Sequence, residues 1–122
     1  MIAEGLATAR EALALIASSQ ERYCEPETHR VLGELQLLQG GEAAAATAER
    51  CFHDAISISR RLGARSWELR AALSLARLWA GEHRAAEAYA LLQPIRAAFK
   101  EGFESPDLVD SARLLEQLRA PT

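Results

Sequence analysis

GEAAAATAERCFHDA, residues 41–55, and GEHRAAEAYALLQPI, residues 81–95, are the same sentence written twice. Each opens on Gly-Glu. Six residues after the Glu stands a small residue, Ala48 or Ala88. A large one follows a helical turn later, Phe52 or Leu92, and then an apolar one, Ala55 or Ile95. A third copy lies upstream in Ala9, Leu13 and Ile16, so the pattern returns after 39 and then 40 residues. The segments between the copies match as well: Leu32-Gly33 with Leu35 recurs as Leu75-Ala76 with Leu78. A fixed period of this length is the mark of helix pairs that bury their apolar faces by stacking on the next pair. The small residues let two backbones approach, and the large residue a turn later fills the remaining groove.

Outward from these copies, periodicity and stop signals predict six antiparallel helices, at about 3–18, 26–39, 42–61, 66–80, 82–100 and 105–119. Pro26 suits a first helical turn, and Ser105-Pro106 supplies a cap followed by proline at the first helical position. Gly40-Gly41, Gly63, Gly81 and Gly102 are read as stops, with Gly63 a left-handed C-cap. The expected organisation over 1–122 is a half repeat (1–24), two repeats (26–63 and 64–102) and a capping helix (105–119). The core is predicted at Leu32, Leu35, Phe52, Leu75, Leu78, Trp79 and Leu92. Pro94, inside the fifth helix, removes the amide that would bond to Ala90 and predicts a bend.

Composition agrees with an all-α chain. Of 122 residues 49% are hydrophobic, dominated by Ala and Leu, while strand-forming residues are sparse. The net charge of -3 comes from interspersed charges with no basic face, which speaks against nucleic acid. The Ala-rich runs are interrupted by Glu, Arg or Gln, so no membrane span is expected. Residues 1–4 lack the start of a secretory signal. These features predict a soluble, cytoplasmic protein. Cys24 and Cys51 are read as reduced thiols.

Candidate chemistry is thin. Cys51 and His53, with Glu49 nearby, point about 200° apart on a helix and cannot share a metal. His83 and Glu87, one turn apart, read as a surface pair. Ser57, Ser59, Ser66 and Ser74 lack a nucleophile motif. The chain is therefore expected to be no enzyme and to need no metal or cofactor.

Leu32-Gly33 with Ala48, Phe52 and Ala55, then Leu75-Ala76, Trp79, Ala88, Leu92 and Ile95, resemble the tetratricopeptide (TPR) repeat, whose nominal length is about 34 residues. Gln36 replaces the usual aromatic, the period is longer, and the terminal proline is absent. A narrower resemblance runs from Cys51 to Leu118: Cys51-Phe52, Ala55-Ile56, the run RRLGARSWELR at 60–70, SLARL at 74–78 and FKEGF at 99–103. It is similar to the C-terminal TPR region of bacterial multidomain signalling ATPases, the cyclase-associated and maltose-activator-like regulators. GARSWELR is its most specific part. The resemblance implies a sensing or autoregulatory scaffold. It brings no ATPase or cyclase residues, since no Gly-rich Gly-Lys-Ser/Thr loop is present.

In TPR domains the first helix of each repeat lines the concave surface. Carried onto this chain, that rule names Arg30, Glu34, Leu37, Leu69, Arg70, Leu73 and Arg77 as a surface for a protein or peptide partner, including another domain of the same full-length chain. The arginines would clamp carboxylates. Val31 and Glu34 stand where the chaperone-tail clamp needs asparagines, which disfavours that partner. The alternative is self-association. The first helix reads as the second half of a repeat whose first helix is missing, and its half-polar outer side predicts a homodimer through Leu6, Leu13 and Leu15.

Overall fold

The computed structural model describes residues 25–100, 102 and 104–119. Among them the chain is all helical, with five helices and no strand: α1 (Glu25–Gln39), α2 (Ala44–Leu62), α3 (Arg65–Gly81), α4 (Ala85–Ala97) and α5 (Pro106–Arg119). The helix expected at 3–18, and with it Leu6, Leu13 and Leu15, lies outside the described residues.

Consecutive helices pack on one another through short connections, as a helix-pair solenoid requires. The second tier of contacts sets the shape. The helices α1, α3 and α5 also touch along one side, α1 to α3 and α3 to α5, whereas the backbones of α2 and α4 stay apart. The stack is thus closed on the α1/α3/α5 side and open on the α2/α4 side. Helix α3 touches every other described helix. Its sequence allows this because apolar and small residues run almost all the way round it: Leu69, Ala71, Ala72, Leu73, Ser74, Leu75, Ala76 and Trp79 are all buried.

The repeated pattern does what its residue sizes require. Ala48, Phe52 and Ala55 on α2 are fully buried, as are Ala88 and Leu92 on α4, and Ile95 is half-buried. Gly33 lets α1 lie so close to α2 that Phe52 packs directly over it. The face that α1 turns inward is Pro26, Gly33 and Leu37. Leu32 and Leu35, expected in the core, are half-exposed and lie off that face, while Leu37, expected on the binding surface, packs against the core. The close approach at Gly33 decides this rotation, because α1 must present its one residue without a side chain to Phe52.

The two turns into and out of α3 are built alike. After α2, Ala64 N–H donates to Ser59 O and Gly63 N–H to Arg60 O, with Gly63 at φ 69°. After α3, Arg84 N–H donates to Trp79 O and His83 N–H to Ala80 O, with His83 at φ 61°. Both are Schellman closures, in which a left-handed residue lets the chain turn back on the last helical carbonyls. The expected stop at Gly81 moves accordingly: Gly81 is the last residue of the helix, and His83 occupies the left-handed position. Helix α4 then begins only at Ala85. It ends at Ala97, short of the expected 100, where Phe99 N–H bonds Arg96 O in a tightened final turn and Phe99 packs against the core. At the start of α5, Ser105 caps as expected, its Oγ accepting from Leu108 N–H at 3.4 Å.

Candidate interaction surface

The closed side of the stack carries the arginines that the sequence proposes as carboxylate readers. Each faces a carboxylate of the chain itself. Arg30 holds Glu27 with both oxygens engaged (Nε–Oε1 2.6 Å, Nη2–Oε2 3.2 Å), lies 3.9 Å from Glu34, and reaches Ser74 Oγ on α3 at 3.4 Å. Arg70 bridges two helices at once, donating to Glu27 on α1 at 2.7 Å and to Asp107 on α5 at 3.1 Å. Arg77 pairs with Asp110 on α5 at 3.6 Å. Burial pushes the Glu27 carboxyl up, but hydrogen bonds from Arg30 and Arg70 outweigh it and hold the group below its usual value of 4.5. Glu27 in turn holds Arg70 above its usual value.

This side is therefore a set of charge links between helices that already touch. Leu69 and Leu73, proposed for the same surface, are buried within the stack, at 1% and 3% exposure, and offer nothing to a partner. The spacing that put them beside Arg70 and Arg77 is correct for a helix. It fails to reveal the surface because α3 is enclosed on both sides.

A second cluster joins the end of α3 to α2. Glu49 accepts from Trp79 Nε1 at 2.8 Å and from Arg84 at 2.9 Å, and Arg84 also grips Glu87. Arg84 lies 4.6 Å over the Trp79 ring, and His53 leans on the same ring at 5.9 Å. The hydrogen bond from Trp79, together with Arg84, keeps Glu49 below its usual value against the effect of burial. Glu87 thus pairs with Arg84 rather than with His83, which the left-handed turn carries off the helix. Among the described residues no three His, Cys, Asp or Glu side chains gather as a metal site, and no helix is long and apolar enough to cross a membrane. Ser59 donates back to Ala55 O at 2.7 Å within its own helix, so that hydroxyl is committed to the fold.

The open side offers a different feature. Where α2 and α4 diverge, a groove of about 310 Å³ lies over the first turns of α3. Its floor is Leu91, Ile95 and Phe99, with Ala90 and Pro94 along α4 and Arg60, Arg65 and Glu68 at the rim. Arg60 and Glu68 pair with each other at 2.7 Å. Arg65 is exposed and makes no ion pair among the described residues. Pro94 stands out in the sequence, whereas Arg65 does not, its one signal being its place as the first residue of α3 directly after the Gly63 turn. A shallower hollow of about 370 Å³ is lined by His29, Asp54, Ser57, Ile58 and Arg61.

No known protein family, curated protein or solved structure matches the chain.

Proposed function

We propose that this chain is a non-catalytic scaffold that holds a segment of another protein, or of its own full-length chain. The observation that carries it is the shape of the stack. Helices α1, α3 and α5 are drawn together and cross-linked by their own charges, while α2 and α4 splay and leave an amphipathic groove between them. A repeat stack of this kind is a stiff surface for recognition, because each pair rests on its neighbours. Arg30, Arg70 and Arg77 on the closed side are engaged within the fold, and the hydroxyl of Ser59 is spent on its own backbone.

Its setting as the TPR-like regulatory region of a larger cytoplasmic bacterial signalling ATPase or cyclase rests on the resemblance over residues 51–118. The most specific run of that resemblance, 63–70, carries several structural duties. Gly63 makes the left-handed turn, Arg65 and Glu68 form the groove rim, Leu69 enters the core, and Arg70 ties α1 to α5.

The test is selection from a random-peptide display library against the intact chain, followed by calorimetry on synthesised winners. Enriched sequences that bind one to one support the scaffold. A selection that enriches nothing removes it.

A further inference from the structure

We infer that the groove between α2 and α4 is a peptide-binding site, and that it takes a short extended segment carrying a carboxylate beside an apolar side chain. The inference rests on the scaffold reading and names the site and the partner chemistry.

Three observations converge on this occupant. The first is size. An apolar cavity of about 150 Å³ holds a benzene, so a groove of about 310 Å³ takes one or two side chains of a partner segment. Leu91, Ile95 and Phe99 make its floor apolar, so at least one of those side chains is apolar.

The second is charge. The rim holds two cations and one anion, and Glu68 already neutralises Arg60. Arg65 is left as the rim's uncompensated charge, exposed at the mouth, with its planar donor fork unused by any described carboxylate. By contrast, Arg30, Arg70 and Arg77 on the closed side are all matched by the chain's own acids. Complementarity thus points to an acidic ligand here rather than there.

The third is the backbone. Pro94 has no N–H, so the carbonyl of Ala90 lacks its usual partner four residues on. Both Ala90 and Pro94 line the groove. A helix carbonyl without its amide four residues on can accept a hydrogen bond from the backbone N–H of an extended peptide, whose own amides are not spent within a helix. A carboxylate, an apolar side chain and a main-chain donor together describe a peptide segment.

Peptides enriched from the display library supply the probe. Their consensus should place Asp or Glu within two positions of Leu, Ile or Phe. In fluorescence anisotropy with the labelled consensus peptide, R65E should weaken binding at least tenfold with a nearly unchanged melting temperature, because Arg65 is exposed and makes no ion pair among the described residues. Changing the peptide's acid to its amide should weaken binding to the wild type by a similar factor and to R65E by little. P94A, which restores the amide for Ala90, should weaken binding several-fold, and R77E on the closed side should leave it unchanged. If enriched peptides bind wild type and R65E within twofold, the groove is not their site and the inference falls while the scaffold stands. If nothing is enriched, both fall.

Discussion

Gly33 stands where an added Cβ would lie 2.6 Å from Cε1 of Phe52 and 3.1 Å from Cβ of Cys51. Phe52 is fully buried and cannot swing aside freely. Alanine there gains about 0.8–1 kcal/mol of helix propensity but meets an overpacking cost of about 1–3 kcal/mol. We expect Gly33→Ala to lose about 1 kcal/mol in chemical denaturation; a more stable variant would show that Phe52 yields cheaply. The two Schellman turns give a paired prediction. Gly63 adopts φ 69° at no steric cost, whereas His83 carries a side chain at φ 61°. His83→Gly should therefore stabilise by about 0.5–1 kcal/mol and Gly63→Ala should destabilise by about 1 kcal/mol. Opposite shifts in thermal melting test both, and equal shifts would mean the left-handed turns are not retained in solution.

At the scale of elements, the question is what holds α1, α3 and α5 side by side. Their mutual contacts are fewer than those within each helix pair, and Glu27, Arg70 and Asp107 span all three. Arg70 is partly exposed, so a single one of these pairs contributes little; sharing among three helices gives the set its value. The carboxyl of Glu27 sits below its usual value of 4.5. A carboxylate whose folded value is depressed contributes stability fully above the unfolded value, and loses it as pH falls through the folded one. Urea midpoints of the wild type should consequently fall more steeply than those of Glu27→Gln between about pH 5 and 3, with the variant already weaker at neutral pH. Parallel curves would show that Glu27 does not titrate within the network.

For the whole molecule, the arrangement predicts an uneven distribution of stability. Helix α3 touches every other described helix, while α5, among the described helices, rests only on α3 and α4. In a repeat stack, stability is a sum of neighbour terms, so the least supported element opens first. Native-state hydrogen exchange should show amides of α3 protected to the global limit and those of α5 exchanging earlier. Uniform protection across α3 and α5 would indicate a single cooperative unit instead.

Ala48, Phe52, Ala88 and Leu92 were legible from the sequence because burial in a stacked helix pair demands small and large residues at fixed spacing, and the chain repeats that spacing. The same local logic reads the helix breaks at Gly63 and Ser105-Pro106, since caps act over one or two residues. Rotation of α1 about its axis was not legible: Leu32, Leu35 and Leu37 are equally apolar, and the contact between Gly33 and Phe52 selects among them. Nor was the fate of the arginines. Arg70 and Arg77 occupy a face that spacing alone identifies, but their partners Glu27, Asp107 and Asp110 lie 33 to 43 residues away in sequence. Only packing brings those carboxylates within reach. The groove under Arg65 exists for the same reason, because it is the gap left where α2 and α4 diverge, and a gap between elements is a property of their placement and of no single residue.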